Sequence, residues 1–163
     1  MRPVVFNVPN QYNYFMLKTS EINAFLIAPC GMNCGLCMAY LREKKHCPGC
    51  NGDDEQKPSI SCVRCGIKNC ENLKDIKSGL CVDCAQFPCA RIKHIDTRYR
   101  TKYGMSMIEN LEKIQSLGMN LFIKQEQTRW ECPKCGGVLC VHRDVCASCG
   151  KKYKRKSYRM LSR

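Results

Sequence analysis

Cysteine constrains this chain more than any other residue, since sixteen cysteines occur among 163 residues and most of them form C-x-x-C pairs. Such a density is typical of a disulfide scaffold or a metal scaffold. Pro9, Asn10 and Gln11 interrupt the early apolar stretch, so we expect no signal peptide. No run reaches the roughly 18 apolar residues of a membrane span. Because disulfides are rare in a reducing cytosol, we expect a cytoplasmic protein whose cysteines bind metal.

The most specific pattern is "CPKCGGVLCVHRDVCASCG", in which two C-x-x-C turns are separated by ten residues and each is followed by glycine. Glycine permits the tight turn that brings backbone N–H groups toward the sulfurs. The pattern predicts a zinc ribbon with the ligands Cys132, Cys135, Cys146 and Cys149. A rubredoxin-type iron site uses similar turns and stays the alternative. Between the turns, we expect Cys140 to be a small buried hydrophobe and His142 a surface or packing residue.

A second cysteine-rich region covers residues 30–89 and contains eleven cysteines in four groups. The last two groups, "CVRCGIKNC" and "CVDCAQFPC", share the pattern C-x2-C-x4-C, which indicates an internal duplication. Two four-cysteine sites would leave three thiols over, and three sites would need a twelfth ligand, for which His46 and His94 are candidates. Spacing does not reveal which cysteines share an ion. The predicted ligands are Cys30, Cys34, Cys37, Cys47, Cys50, Cys62, Cys65, Cys70, Cys81, Cys84 and Cys89.

The kind of metal in residues 30–89 has two readings. The C-x3-C-x2-C spacing of Cys30, Cys34 and Cys37 occurs in radical-generating iron–sulfur enzymes, but this chain is too short for the barrel that encloses their radical. An iron–sulfur cluster with a structural or redox role stays open for this region. Separate C-x-x-C pairs favour zinc, and we expect about three to four zinc ions in the whole chain.

The distribution of cysteines along the chain suggests its domain boundaries. We predict a small irregular metal-stabilised α+β fold: an N-terminal extension (1–27), a cysteine-rich zinc-binding module (28–95), a helical connector (96–129), a C-terminal zinc ribbon (130–152) and a basic tail (153–163). A block of about 60 residues is marginal on hydrophobic burial alone, so metal must contribute to its folding. We expect Trp130 to pack between connector and ribbon.

Helix signals are clearest in the connector. Ser106 and Glu109 form a capping-box pattern, the apolar residues of "MIENLEKI" fall on one face, and Gly118 marks the end. Asn120 is expected to cap a second short helix. In the first block, "CGLCMAYLREKK" predicts a helix with Leu36, Tyr40 and Leu41 facing inward. Residues 47–84 should form loops and short turns.

The motifs "APCGMNCGLCMAYL", "CPGC", "CVRCGIKNC" and "CVDCAQFPCARI" resemble the cysteine-rich prokaryotic proteins of domain-of-unknown-function family 3795. The resemblance covers about residues 27–95, and the sequence from Met107 to the ribbon is similar to an extension found on some members. The resemblance implies metal binding by the matched cysteines. It implies no particular activity.

Charge points to a binding role. The formal net charge is +13, and residues 91–163 carry seventeen Lys or Arg against six Asp or Glu. Basic side chains neutralise phosphates and tyrosines stack on bases, so we expect contact with RNA or the ribosome, or else a protein partner. The tail residues concerned are Lys151, Lys152, Tyr153, Lys154, Arg155, Lys156, Tyr158, Arg159 and Arg163.

An enzymatic role is the rival hypothesis. A catalytic zinc needs an open position and a nearby acid, for which Asp53, Asp54, Glu55 and Asp83 are the candidates, although a solvated loop explains these acids as well. The sequence has no phosphate-binding loop, dinucleotide fingerprint or serine-hydrolase elbow. We therefore expect a zinc-binding adaptor rather than an enzyme. The alternative is an iron–sulfur redox protein or metalloenzyme that uses Cys30, Cys34 and Cys37.

Overall fold

The structure is a computed structural model that describes residues 18–154. It is small, rich in cysteine and mostly helical. Three longer helices follow the cysteine-rich block, whose own elements are short 3-10 turns and two four-residue helices. The helices are α1 (Met38–Leu41), α2 (Ile60–Val63), α3 (Ala90–Tyr103), α4 (Met107–Leu117) and α5 (Met119–Arg129). Short 3-10 turns cover Thr19–Glu21, Ala24–Leu26, Cys34–Leu36, Asp54–Gln56, Glu71–Leu73 and Cys81–Asp83.

The β component of the predicted α+β class is slight. Within residues 18–154, strand pairing consists of isolated antiparallel bridges. Three of them, Glu131 with Val138, Leu139 with Cys146, and Val145 with Lys152, fold the last cysteine cluster back on itself. Mostly helical is therefore the better description of the fold.

Helix α4 forms as the sequence predicts. The Ser106 hydroxyl accepts a hydrogen bond from the Glu109 N–H at 3.1 Å, which caps the helix, and the helix ends at Gly118. Its inner face buries Met107, Leu111 and Ile114.

Helix α5 begins differently from the prediction. Its cap position is Gly118, and Asn120 lies in the first turn of the helix rather than capping it. The two helices therefore share one glycine as their junction. In the first block, the predicted helix is reduced to the turn Cys34–Leu36 and the single helical turn α1, where Leu36 and Leu41 are buried and Tyr40 is half-buried.

Helix α3 has no clear amphipathic pattern and is held by a buried carboxylate. Asp96, with 2% of its surface exposed, accepts hydrogen bonds from the Ser106 hydroxyl at 2.6 Å and the Ile108 N–H at 3.1 Å. Its second oxygen pairs with Arg100. Because Ser106 and Ile108 lie at the start of α4, these hydrogen bonds hold α3 against the N-terminus of α4.

One continuous core joins the parts of the chain. Buried apolar side chains from residues 22–28, the cysteine-rich block, α3 to α5 and residues 130–147 belong to a single cluster. Trp130 is part of it, 7% exposed, and its carbonyl accepts the Leu139 N–H at 2.9 Å. Trp130 therefore lies between the end of α5 and the segment that carries the C-terminal cysteines, where it was expected to pack. Gln127 on α5 also donates to the Ile22 carbonyl at 3.0 Å, which ties the early residues to the helices.

Several predictions fall outside the described residues: most of the N-terminal extension and, in the basic tail, Arg155, Lys156, Tyr158, Arg159 and Arg163. For residues 18–154, no helix has the length and apolar character needed to cross a bilayer.

Candidate metal centre

Two similar turns build the C-terminal cysteine cluster. In the first, the Gly136 N–H donates to the Cys132 carbonyl at 2.9 Å; in the second, the Gly150 N–H donates to the Cys146 carbonyl at 3.0 Å. Both glycines have left-handed backbones, with φ of 71° and 68°. A side chain there would strain the turn, which explains the glycine after each C-x-x-C.

The two turns bring four sulfurs to one point. The Sγ atoms of Cys132, Cys135, Cys146 and Cys149 all lie within 4.8 Å of one another. Two of the separations are 3.9 Å, between Cys132 and Cys149, and 3.6 Å, between Cys135 and Cys146. With Zn–S bonds of about 2.3 Å, a tetrahedral site requires sulfurs about 3.8 Å apart. The four cysteines therefore fit a single tetrahedral metal ion.

The protonation of these thiols depends on the same geometry. Burial opposes ionisation of Cys132, but N–H groups of Lys134 and Cys135 donate to its sulfur and lower its pKa to about 7. Burial instead raises the pKa of Cys146 above its usual range. The thiolate of Cys132 is thus favoured by the protein alone, whereas ionisation of Cys146 would be helped by the charge of a cation.

Cys140 and His142 lie between the turns and have other contacts. Cys140 is fully buried, as expected of a small hydrophobe. The His142 Nδ1 accepts the Met38 N–H at 3.3 Å, and its Nε2 lies 2.9 Å from the Tyr99 hydroxyl. His142 therefore connects the C-terminal cysteine cluster to α1 and α3, which is the predicted packing role.

The cysteines of residues 30–89 form looser neighbourhoods. Within residues 18–154, the C-terminal cluster is the one group of three or more His, Cys, Asp or Glu ligand atoms within 4.8 Å of one another. Within residues 18–154, which include all sixteen cysteines, no disulfide forms. The first-block thiols therefore do not converge on a single-ion geometry.

The first neighbourhood contains Cys34 and Cys50. The Cys50 N–H donates to the Cys34 sulfur at 3.3 Å, and a hydrogen bond between the two thiols raises the pKa of Cys34 and lowers that of Cys50 to about 7. Burial raises the pKa of Cys30 to about 12, and the nearby thiols of Cys50 and Cys65 add to that shift.

A second neighbourhood spans the two cysteine-rich regions. Burial raises the pKa of Cys37 to about 11, and the thiols of Cys47 and Cys140 contribute. The residues of the C-x3-C-x2-C motif are thus divided, with Cys30 and Cys34 in one neighbourhood and Cys37 in another. Cys140 was not predicted as a ligand, and its position in the sequence gives no signal that it lies near Cys37.

A third neighbourhood surrounds Cys81. Burial raises its pKa to about 12, followed in size by the effects of Cys89, Cys70 and Cys84. Cys62, by contrast, is exposed. The duplicated C-x2-C-x4-C groups are therefore not equivalent in the fold.

Other predicted candidates have structural partners. Asp54 pairs with both Lys57 and Lys68, and Lys57 also donates to the Cys50 carbonyl at 2.8 Å. The exposed ring of His46 packs against Tyr40 at 4.9 Å between centroids. His94 is exposed on α3.

The remaining acids of the enzyme hypothesis lie in turns. Asp53 caps the turn Asp54–Gln56 by accepting the Glu55 N–H at 3.0 Å, and Asp83 accepts a hydrogen bond from the Ser78 hydroxyl at 2.5 Å. These contacts account for Asp53 and Asp83 as turn-forming residues.

Comparison with known proteins identifies one part of the chain. No curated protein and no solved structure matches it. Residues 26–94 match the model of the family described as "Protein of unknown function (DUF3795)". That segment contains all eleven cysteines of the first region and ends within α3, so the C-terminal cluster lies outside it. Residues 26–94 are therefore similar to the DUF3795 family, as the cysteine motifs indicated.

Proposed function

We propose that this chain is a zinc-stabilised adaptor that contacts single-stranded RNA. The observation that carries the zinc assignment is the tetrahedral spacing of the sulfurs of Cys132, Cys135, Cys146 and Cys149. Four protein thiolates leave no open coordination position, so the ion in this site is structural rather than catalytic.

Zinc content tests this step directly. The full chain should lose one zinc on the substitution Cys135→Ser, whereas Lys134→Ala in the same turn removes only an exposed side chain and should retain it. Because Trp130 packs against the ribbon, chelation should change its fluorescence in the wild type and in Lys134→Ala alike. Equal zinc content in the Cys135→Ser variant and the wild type would contradict the assignment.

A basic helix face supports the RNA contact. Helix α3 carries five cations, and its one acidic residue, Asp96, is buried in the contact with α4. The outer surface of α3 is therefore positive, which favours a phosphate backbone. The cations are Arg91, Lys93, Arg98, Arg100 and Lys102, all of them exposed.

An aromatic cavity lies between the end of α3, the end of α5 and the ribbon. It has a volume of about 270 Å³, and its walls include Tyr103, Trp130 and Tyr153. Arg129 and Lys154 stand at the same cavity. Aromatic walls beside cations are the combination that binds single-stranded nucleic acid, because bases stack and phosphates pair with charge.

RNA affinity tests the proposal. We expect anisotropy of a labelled single-stranded RNA to show binding that weakens as salt rises. The double substitution Lys93→Ala with Arg98→Ala should lower the slope of log affinity against log salt by about 0.7 for each phosphate that the variant no longer neutralises. The matched control is Lys74→Ala with Lys77→Ala, two exposed lysines of the first block. An equal effect of both pairs, or no RNA binding at low salt, would overturn the RNA role.

A further inference from the structure

A second candidate site, separate from the C-terminal cluster, is a cavity in the cysteine-rich block. It has a volume of about 430 Å³ and is bounded by the turns Glu71–Leu73 and Cys81–Asp83 and by the start of α3. Four of the eleven cysteines of this block line it: Cys70, Cys81, Cys84 and Cys89. They come from both copies of the duplicated motif, since Cys70 ends the first copy and the other three form the second.

The rest of the cavity wall is mainly apolar. Ile67, Leu73, Phe87 and Ile92 line it, and Ile67 and Ile92 are 8% and 1% exposed. Four polar residues, Glu71, Asn72, Gln86 and Arg91, complete the lining; Glu71 pairs with Lys74, and Arg91 donates to the Gly66 carbonyl at 2.8 Å. Among these lining side chains, the four thiols are the ligands that suit zinc or an iron–sulfur centre.

The spacing of the thiols distinguishes this cavity from the C-terminal cluster. No three of these sulfurs lie within 4.8 Å of one another, since within residues 18–154 only the ribbon cysteines do so. A single zinc ion would require about 3.8 Å. In an iron–sulfur cluster the thiolates bind different iron atoms, so the sulfurs stand around a larger centre.

The start of α3 adds electrostatic support. Cys89 is the cap residue of this 14-residue helix, and Ala90, Arg91 and Ile92 of its first turn line the cavity. Their N–H groups have no acceptor within the helix and favour negative charge. The Asn72 amide also lies 3.9 Å from the Cys84 sulfur, within the range of a weak hydrogen bond. A cluster with four thiolate ligands carries net negative charge and would gain from these donors.

We infer that the cavity lined by Cys70, Cys81, Cys84 and Cys89 holds an iron–sulfur cluster, with these four thiolates as its ligands. The chain then has two metal centres of different chemistry: a single ion in the ribbon and a polynuclear centre within residues 26–94, the segment similar to the DUF3795 family. The inference stands independently of the RNA contact and of the ribbon zinc.

Anaerobic reconstitution of the full chain with ferrous iron and sulfide tests the inference. We expect at least two iron atoms per chain with equal inorganic sulfide, and visible absorbance that bleaches with dithionite. Cys84→Ala should lose the iron and keep the ribbon zinc. Cys135→Ala should do the reverse, and Cys62→Ala, at an exposed cysteine of the same block, should keep the iron. These crossed variants separate a failure of this site from a failure of the ribbon.

Several outcomes would overturn the inference: zinc without iron in the reconstituted wild type, iron without sulfide, or equal iron in Cys84→Ala and Cys62→Ala. Alkylation of the wild type gives a second measurement that does not depend on a variant folding. After reconstitution, Cys70, Cys84 and Cys89 should be protected from iodoacetamide relative to the metal-free chain, while Cys62 stays reactive. Equal reactivity of the three cysteines in both forms would also refute the site.

Discussion

The turn at Gly31 gives the sharpest test of how the cysteine-rich block is fixed to the helices. Gly31 has φ of 84°, and a Cβ added there would lie 2.7 Å from the Met107 carbonyl oxygen and 2.8 Å from Leu111 Cγ. The Gly31 carbonyl also accepts the Asn110 side-chain amide at 2.9 Å. The substitution Gly31→Ala therefore meets two costs, a left-handed backbone and a close approach to α4.

The two costs can be separated by a matched variant. A left-handed backbone costs a non-glycine residue about 1–2 kcal/mol, and forcing atoms into a packed site costs about 1–3 kcal/mol. Gly31→Ala should therefore lower the free energy of unfolding by about 2–5 kcal/mol. Gly79 has φ of 66° and no atom within 4 Å of an added Cβ, so Gly79→Ala should lose only the first part.

Urea denaturation followed by far-ultraviolet circular dichroism measures both losses, with both proteins loaded with metal and their metal content checked. The difference between the variants should be about 1–3 kcal/mol, the cost of the close approach. Equal losses in Gly31→Ala and Gly79→Ala would refute the reasoning, since the contact between the turn of residues 28–31 (the APCG turn) and α4 would then contribute nothing.

Two further predictions concern buried carboxylates. Asp96→Ala removes the acceptor of the Ser106 and Ile108 hydrogen bonds and should lower the free energy of unfolding by about 2–4 kcal/mol in urea denaturation. The control Asp75→Ala, at an exposed position, should change it by less than about 0.5 kcal/mol. Similar losses in both variants would contradict the proposed link between α3 and α4. Burial raises the pKa of Glu126, so its contribution to stability is present below the unfolded pKa of about 4.3 and is lost as pH rises through the folded pKa. Denaturation between pH 5 and 8 should therefore show a smaller loss of stability for Glu126→Gln than for the wild type, and parallel pH profiles would exclude this effect.

The sequence alone determined the features that depend on near neighbours. The ligand set of the C-terminal cluster follows from two C-x-x-C turns with glycines, because such a turn positions its own two sulfurs. The cap at Ser106 and the buried face of α4 follow from spacings of three and four residues. The motifs of residues 26–94 likewise sufficed to indicate the family.

The start of α3 and the cap of α5 were not predicted, for local reasons. The predicted helical connector begins at residue 96, whereas α3 begins at Ala90. Among the residues of α3, only Ile92 and Asp96 are buried, so no apolar period marks it. Its position depends on the hydrogen bonds of Asp96 with Ser106 and Ile108, and the sequence gives no sign of that contact. At α5, the Gly118 backbone supplied the helix start in place of the Asn120 side chain.

Only the tertiary structure decided which distant cysteines become neighbours. It brings Cys70 to the cavity of Cys81, Cys84 and Cys89, and it places Cys140 near Cys37, more than a hundred residues earlier in the sequence. The physical reason is that the entropic cost of closing a loop rises only slowly with its length, so spacing barely favours one pairing of C-x-x-C units over another. The packing of the shared core, with α4 against the APCG turn, makes that choice instead.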